Sequence, residues 1–203
     1  MTTAQPYVYA EQPGANAQAP VFFVFHGTGG NENQFLELAP QLVAGARVIA
    51  PRGDVSEGGA LRYFKRLAEG HYDMPDLARA TGKMADFVRE RIAEGEPART
   101  IGLGYSNGAN ILAAVQFAAP ELFDAAVLLH PLIPFDPGQV PGLKGKRVLI
   151  TAGRRDPICP AEDTQRLADW LGAQGAEVEL FWHDGGHELR QEELLKARDF
   201  LAG

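Results

Sequence analysis

Short apolar runs alternate with longer amphipathic stretches along this chain. The runs, rich in β-branched or aromatic side chains, predict seven strands: Tyr7–Ala10, Val21–Phe25, Arg47–Ala50, Thr100–Leu103, Ala125–Leu129, Arg147–Ala152 and Val178–Trp182. Apolar residues at helical spacing predict five helices: Glu32–Val43, Pro75–Ala93, Asn107–Ala119, Asp163–Gln174 (with Asp163 as N-cap) and Glu188–Leu201. This alternation predicts an α/β fold, in which a mainly parallel, twisted sheet of about seven strands carries helices on both faces.

No linker divides the chain, and its 203 residues fit a single domain, 1–203, with room for a buried core. Residues 52–60 are rich in glycine and are expected to form a loop. Four prolines lie between His130 and Gly142, and they exclude a long helix there. The segment from His130 to Lys146 is therefore too short and too rich in proline to hold a cap domain.

The charge balance excludes some classes of partner. Lys plus Arg number 19 and Asp plus Glu number 26, which gives a formal charge of −7. Because phosphate binding requires clustered basic side chains, nucleic acid is not expected as a partner. The single cysteine, Cys159, cannot form an internal disulfide. Residues 1–20 lack the features of a signal peptide and no apolar stretch approaches 18 residues, so we expect a cytoplasmic protein without stable membrane association.

Glycine-containing segments follow four of the predicted strands. They are His26–Gly30, Gly104–Gly108, Gly153–Asp156 and His183–His187. In an open α/β sheet, ligands bind outside the carboxyl ends of the strands, and glycine lets the backbone turn sharply there. The sequence therefore predicts a site built from these four loops.

The segment Gly104-Tyr105-Ser106-Asn107-Gly108 has the form Gly-x-Ser-x-Gly between a predicted strand and a predicted helix. A serine on such a tight turn exposes its hydroxyl at the N-terminus of the following helix. An ordinary strand-to-helix turn is the alternative for the bare pattern. The flanking strand and helix favour a nucleophile.

A serine nucleophile needs a general base, and the base needs an orienting carboxylate. Asp156 and His187 each follow a later strand, and the chain order Ser106, Asp156, His187 is the order expected of α/β-hydrolases. We therefore predict Ser106 as nucleophile, Asp156 as orienting acid and His187 as base.

Other histidines and carboxylates compete for these roles. The rivals are His26, His71, His130, His183, Asp136 and Asp184. We interpret His26 as a brace of the first loop and His130 as a structural residue at a strand end. His187 is preferred because its loop can carry it over the serine, and Asp156 is preferred for its position at a strand end.

Acyl transfer also requires N–H donors for the oxyanion that develops on the substrate. The backbone N–H of Asn107, just after the nucleophile, is one predicted donor, and Thr28 in the loop after the second strand is the other. A flexible loop or a phosphate-binding nest is the alternative for residues 26–30. A P-loop is excluded, since no Gly-Lys-Ser or Gly-Lys-Thr follows.

These motifs resemble the α/β-hydrolase superfamily and, within it, the phospholipase/carboxylesterase family of small serine esterases, which includes the acyl-protein thioesterases. The matching segments are FHGTGG (25–30), APRG (50–53), GYSNGAN (104–110), GRRDPICP (153–160) and GGHE (185–188). They span most of the chain in order. Seven strands are predicted where the full fold has eight, which indicates the loss of an N-terminal strand.

The resemblance implies a serine carboxylesterase that uses no metal or other cofactor and cleaves small or short-acyl esters through an acyl-enzyme on Ser106. Five side chains are candidates for the substrate pocket, with core packing as the alternative for each: Tyr63, Phe64, Leu132, Ile133 and Ile158. Thioesterase activity, lysophospholipase-type activity and ligand binding without catalysis are the alternative functions. The expectation of a homodimer rests only on the resemblance to this family.

Overall fold

The computed structural model of the protein describes residues 6–203, so residues 1–5 of the predicted domain lie outside the described part. Its strands are β1 (Tyr9–Gln12), β2 (Val21–Phe25), β3 (Arg47–Pro51), β4 (Val55–Glu57), β5 (Ala60–Arg62), β6 (Arg66–Ala68), β7 (His71–Tyr72), β8 (Thr100–Tyr105), β9 (Ala125–Leu129), β10 (Arg147–Gly153) and β11 (Glu177–His183). Its α-helices are α1 (Ala39–Leu42), α2 (Met74–Ile92), α3 (Asn107–Ala118), α4 (Ala161–Ala173) and α5 (Gln191–Ala202). Single 3-10 turns occupy Pro120–Leu122 and Pro141–Leu143.

Seven of these strands form the central sheet, in the spatial order β1-β3-β2-β8-β9-β10-β11. All neighbours pair in parallel except β1, which runs antiparallel to β3 at one edge. The predicted seven-stranded, mainly parallel sheet is thus confirmed, although β1 begins two residues later than the predicted strand Tyr7–Ala10. The strand order reverses at β2, which pairs with β3 on one side and β8 on the other. Such a reversal opens a crevice at the carboxyl ends of the strands.

Strand β2 shows why its sequence is an uninterrupted apolar run. All five of its residues are buried. Phe22 and Val24 belong to the apolar cluster that contains residues of α1 and α5. Phe23 and Phe25 point to the opposite face, into the cluster that contains residues of α2, α3 and α4. Helices therefore cover both faces of the sheet, as predicted for parallel strands.

The helix predicted over Glu32–Val43 is wrong for most of its length. Only Ala39–Leu42 is α-helical, and the residues before it form turns such as the one closed by the Gln34 N–H and the Asn31 carbonyl at 3.1 Å. The reason is Pro40, which lacks an N–H and is tolerated only in the first turn of a helix. The helix therefore begins beside Pro40 instead of running through it.

A hairpin occupies most of residues 52–60, where the sequence predicts a loop. Strands β4 and β5 pair antiparallel across Gly58 and Gly59. These glycines have φ values of 57° and 93°, and two positive φ values are what a type I′ turn requires. A second hairpin, formed by β6 and β7, follows directly. Both hairpins are too short for an alternating pattern to reveal them.

Two helix starts also differ from the prediction. Helix α4 begins at Ala161 with Pro160 as its N-cap, so the predicted cap at Asp163 is wrong. Asp163 lies in the first turn, where its negative charge interacts favourably with the positive end of the helix dipole. Helix α5 begins at Gln191 rather than Glu188, since the loop before it continues further. Within residues 6–203, none of the helices has the length and apolar character needed to cross a membrane.

Candidate active site

The residues predicted to form a site follow four strands of the central sheet. Thr28 follows β2, Ser106 follows β8, Asp156 follows β10 and His187 follows β11. Because these strands are parallel, their carboxyl ends lie at one edge of the sheet. The four loops therefore meet beside the crevice at β2 and β8.

Ser106 has a backbone conformation that residues other than glycine rarely adopt. Its φ is 53° and its ψ is −117°. Glycines on either side allow this turn to pack tightly between β8, α3 and β2. A Cβ atom on Gly104 would lie 2.3 Å from the carbonyl oxygen of Gly108, and one on Gly108 would lie 2.3 Å from that of Phe25. The Gly-x-Ser-x-Gly pattern is therefore required by packing as well as by chemistry.

Ser106, His187 and Asp156 form a continuous hydrogen-bonded chain. The Nε2 atom of His187 lies 2.9 Å from Ser106 Oγ, and its Nδ1 atom lies 2.7 Å from Asp156 Oδ2. Because an ionised carboxylate only accepts hydrogen bonds, the ring proton lies on Nδ1, and Nε2 is free to accept the serine proton. The hydroxyl of Tyr105 donates to the His187 carbonyl at 2.7 Å and so fixes the loop. The geometry thus brings together the three residues predicted from chain order.

The Asp156 carboxylate is buried and has four hydrogen-bond partners. Its Oδ1 atom accepts the backbone N–H groups of Ile158 at 2.8 Å and Cys159 at 2.9 Å. Its Oδ2 atom faces Nδ1 of His187 and, at 2.9 Å, Nδ1 of His130. Burial alone would raise the pKa of Asp156, but these hydrogen bonds outweigh burial and hold the pKa well below its usual range. Asp156 is therefore ionised at neutral pH.

The two predicted oxyanion donors lie beside Ser106. Asn107 begins helix α3 and Thr28 lies in the turn after β2, and both line the cavity that contains Ser106. Neither backbone N–H has an acceptor among residues 6–203, so both are available to a ligand. The side chain of Asn107 is itself anchored, because its Oδ1 atom accepts the Tyr63 N–H at 2.8 Å.

The cavity beside Ser106 is small, with a volume of about 30 Å³. Two of the predicted pocket residues, Leu132 and Ile158, form the aliphatic part of its wall. Much of the remaining wall is formed by polar residues, which include Arg62, Arg66 and Glu69. The cavity therefore has room for a small group with an aliphatic side and a polar side.

The other three predicted pocket residues do not line this cavity. Tyr63 and Phe64 are fully buried in the apolar core, and Ile133 lines a separate surface groove. Tyr63 acts as a brace, because its hydroxyl donates to the Pro51 carbonyl at 2.8 Å and accepts the His26 N–H at 3.0 Å. The pocket prediction is wrong at these positions because apolar character alone does not separate a core side chain from a pocket wall.

Four of the side chains that compete with His187 and Asp156 for the catalytic roles lie away from Ser106 or are engaged elsewhere. His26 is buried and its Nε2 atom accepts the Gly53 N–H at 2.9 Å, which agrees with its interpretation as a brace. His71 and Asp184 are exposed. Asp136 is also exposed and accepts a backbone N–H within its own turn. None of these four has the position of a base or an orienting acid for Ser106.

Sequence reasoning missed two polar side chains beside the cavity. Arg62 donates from Nη1 to Thr28 Oγ1 at 2.8 Å. Asn110 donates from Nδ2 to the Tyr72 hydroxyl at 2.8 Å. Asn110 lies one helical turn after Ser106, and this spacing is a signal that could have identified it. Arg62 belongs to a hairpin whose place beside the site has no signal in the sequence.

Two groups of side chains bring three potential metal ligands within 4.8 Å of one another: His130, Asp156 and His187, and His130, His183 and Glu193. In these groups, the nitrogen-to-oxygen distances that involve His130 are 2.9 Å, and the one between His187 and Asp156 is 2.7 Å. Ligands of a tetrahedral zinc ion would lie about 3.3 Å apart. The first group is therefore spaced as hydrogen bonds and ion pairs are. In the second group only the distance between His130 and Glu193 is that short, and His183 lies 3.3 Å from Glu193 and 3.4 Å from His130.

Comparison with known proteins shows the family of this chain. Residues 7–193 match the dienelactone hydrolase family. The chain belongs to the dienelactone hydrolase family. This membership confirms the superfamily that the sequence motifs indicate, and it makes the chain a hydrolase of the dienelactone hydrolase and carboxylesterase type.

This member of the dienelactone hydrolase family is similar to MhqD of Bacillus subtilis (strain 168), a protein named as a hydrolase. It is 39% identical over 182 residues, which is 89% of this chain and 91% of the relative. Among solved structures, Atu2452 of Agrobacterium tumefaciens str. C58, a protein of unknown function, is 55% identical with a TM-score of 0.92, covering 97% of this chain and 96% of its own. The Bacillus cereus carboxylesterase is 38% identical with a TM-score of 0.92, covering 97% and 93%. These similarities confirm the predicted α/β-hydrolase fold, and no cap domain is evident within residues 6–203.

Proposed function

We propose that this member of the dienelactone hydrolase family is a serine carboxylesterase that cleaves small, short-acyl esters. In the first step, Ser106 Oγ attacks the ester carbonyl carbon while His187 Nε2 accepts the hydroxyl proton. The backbone N–H groups of Asn107 and Thr28 bind the oxyanion that forms. The bond to the leaving alcohol then breaks, the alcohol takes the proton from His187, and an acyl-enzyme remains on Ser106.

Hydrolysis of the acyl-enzyme uses the same groups in reverse. Water attacks the acyl carbon and gives a proton to His187 Nε2. The second tetrahedral intermediate collapses, its bond to Ser106 Oγ breaks, and that oxygen takes the proton back. Asp156 keeps the imidazole in the required tautomer and stabilises the imidazolium in both steps.

The observation that carries this proposal is the pair of contacts on His187, at 2.9 Å to Ser106 Oγ and 2.7 Å to Asp156 Oδ2. A protein that only binds a ligand has no need of a base directed at a strained serine. The similarity to the Bacillus cereus carboxylesterase, at 38% identity over nearly the whole chain, supports an ester as the substrate.

The small volume of the cavity supports a short acyl group. A cavity of about 30 Å³ is far smaller than the roughly 300–1,000 Å³ of pockets that enclose drug-sized ligands, so it suits a short acyl group rather than a fatty acyl chain. Leu132 and Ile158 would contact the acyl carbon chain. The leaving group would lie toward solvent, since the proline-rich segment after β9 is too short to form a cap.

Covalent labelling with a fluorophosphonate tests the nucleophile. The chain contains two serines, Ser56 and Ser106, and Ser56 is exposed in β4, which makes Ser56→Ala a matched control. We expect the adduct on Ser106 by mass spectrometry. We expect Ser106→Ala to abolish labelling and reduce p-nitrophenyl acetate turnover to near the uncatalysed rate, and Ser56→Ala to retain both. Folded protein without an adduct on Ser106 would contradict the proposal.

A matched pair of acetyl substrates separates the alternatives. An acetate ester and an acetate thioester with otherwise identical leaving groups should show the higher kcat/KM for the ester. The reverse preference would assign a thioesterase. A ligand that raises the melting temperature without any turnover would assign a binding protein.

A further inference from the structure

Beyond Asp156 lies a buried cluster of titratable side chains that the proposed reaction does not use. It consists of His130 after β9, His183 at the end of β11 and Glu193 in α5, and none of these side chains has exposed surface. His130 connects the cluster to the site. Its Nδ1 atom lies 2.9 Å from Asp156 Oδ2, and its Nε2 atom lies 2.9 Å from Glu193 Oε1.

These distances indicate where the protons lie. An ionised carboxylate only accepts hydrogen bonds, so a proton is required between each ring nitrogen of His130 and the oxygen that it faces. Glu193 already accepts the Thr151 hydroxyl at 2.6 Å on Oε1 and the Arg190 N–H at 2.7 Å on Oε2. A neutral His130 could donate to only one of its two carboxylates. The arrangement is that of an imidazolium between Asp156 and Glu193.

The other groups that face His130 do not add a second cation. His183 Nδ1 accepts the Gly185 N–H at 3.0 Å, so the proton of His183 lies on Nε2, which is 3.3 Å from Glu193 Oε2. The Nε2 atoms of His130 and His183 are 3.4 Å apart because both are directed at the same carboxylate. The groups against His130 are Asp156, Glu193, His183, His187, Tyr105 and Cys159. Two buried anions thus share one buried cation.

The backbone of His130 is fixed in an unusual conformation. Among the described residues other than glycine, only His130 and Ser106 have positive φ values, 52° and 53°. The His130 N–H donates to the Thr151 carbonyl at 2.9 Å, and the Cys159 thiol donates to the His130 carbonyl at 3.4 Å. Strained conformations of this kind persist where the surrounding structure imposes them, and they cluster at functional sites.

We propose that His130, as a cation with Glu193 as its counter-ion, is a positioning residue for the ester hydrolysis proposed above. It holds Asp156 Oδ2 in place for His187 and keeps that carboxylate ionised. The ring centres of His130 and His187 lie 5.1 Å apart, and a cation at this distance disfavours a second positive charge.

The titration behaviour of the cluster agrees with this assignment. Burial alone would lower the pKa of His130, but the contacts with Asp156 and Glu193 outweigh burial and raise its pKa to about 9. Burial acts to raise the pKa of Glu193, and the hydrogen bonds from His130 and Thr151 lower it by more. The positive charge is therefore present throughout the neutral range.

Two variants that each remove one buried imidazole test the proposal. His130→Asn removes the charge while keeping a side chain that tolerates positive φ. His183→Gln is the matched control, because His183 contacts Glu193 and, among residues 6–203, not Asp156. The readout is the pH dependence of kcat/KM for p-nitrophenyl acetate. We expect the acidic limb to move to higher pH by about one unit in His130→Asn and to stay in place in His183→Gln.

Superimposable profiles of His130→Asn and wild type would overturn the proposal, and so would equal shifts in both variants, which would make His130 a packing residue. The proposal rests on the proposed function, and fluorophosphonate labelling of wild-type Ser106 shows separately whether that function holds. Imidazole ¹⁵N NMR of the Ser106→Ala variant at neutral pH needs neither turnover nor a folded His130 variant. We expect both ring nitrogens of His130 to be protonated, and a neutral His130 ring would overturn the proposal.

Discussion

The guanidinium of Arg62 donates from Nη1 to the hydroxyl oxygen of Thr28 at 2.8 Å. The Arg62 side chain is only 4% exposed, and its Nε atom also donates to the Phe64 carbonyl at 3.2 Å. Arg62 ends β5, whereas Thr28 lies in the loop after β2. This contact joins the β4–β5 hairpin to the loop proposed to supply an oxyanion donor, and the Gly29 N–H, which donates to the Leu61 carbonyl at 3.0 Å, joins the same two segments.

Removing the Thr28 hydroxyl should impair catalysis through the position of that loop. Thr28→Val leaves a buried charged donor of Arg62 unpaired, and a hydrogen bond to a charged group contributes about 1.5–3 kcal/mol. We expect a loss of about tenfold to a hundredfold in kcat/KM for p-nitrophenyl acetate. Thr28→Ser keeps the hydroxyl and should retain clearly more activity. A loss in Thr28→Ser with activity retained in Thr28→Val would show that the methyl group, not the hydrogen bond, holds the loop.

Gly108 should not tolerate a methyl group. A Cβ atom there would lie 2.3 Å from the carbonyl oxygen of Phe25 and 2.5 Å from that of His26. Because both neighbours are backbone atoms at the end of β2, Gly108→Ala should destabilise the fold by about 3 kcal/mol or more. Gly82 in α2 has no atom within 4 Å of the same position, so Gly82→Ala should stabilise by about 0.5–1 kcal/mol. Urea unfolding of both variants measures the difference, and similar stabilities would contradict the packing argument.

The central sheet and the order Ser106, Asp156, His187 were predictable because each has a local signal. Buried parallel strands are continuous apolar runs, and a nucleophile between close-packed elements needs glycine on both sides. The hairpins β4–β5 and β6–β7 have no such signal, since each of their strands is only two or three residues long. The place of Arg62 beside Thr28 depends on them and was missed for that reason.

The interpretation of His130 as a structural residue shows that the sequence does not reveal contacts between distant segments. Its position after a strand was visible in the sequence, but its partners come from the loop after β10 and from helix α5. Only the pairing of β9 with β10, together with the packing of α5 behind them, brings Asp156 and Glu193 to the two nitrogens of one ring. His130, Asp156 and Glu193 are far apart in the sequence, and no pattern in the sequence indicates that they meet in the fold.

The stability of the protein should decline as the pH rises from 6.5 to 9. The pKa of His130 is raised from 6.5 to about 9 in the folded state, so folded protein binds this proton more tightly than unfolded protein. The resulting stabilisation is fully present below pH 6.5 and is lost as the pH rises through about 9. The change in pKa corresponds to about 3 kcal/mol. Urea unfolding at a series of pH values should show this decline in wild type and a much flatter dependence in His130→Asn. Parallel declines would contradict the assignment of the charge.

Ile158 should limit the length of the acyl chain. Its side chain lines the cavity of about 30 Å³ beside Ser106, while its backbone N–H donates to Asp156 Oδ1 at 2.8 Å. Ile158→Ala widens the cavity and leaves that hydrogen bond in place. Because each buried methylene contributes about 0.8 kcal/mol, the kcat/KM ratio of p-nitrophenyl butyrate to acetate should rise about three- to tenfold. Leu195→Ala is the control, since Leu195 is exposed on α5, and its ratio should match that of wild type. An unchanged ratio in Ile158→Ala would mean that the acyl chain leaves Ser106 along another wall of the cavity, with Leu132 as the next side chain to truncate.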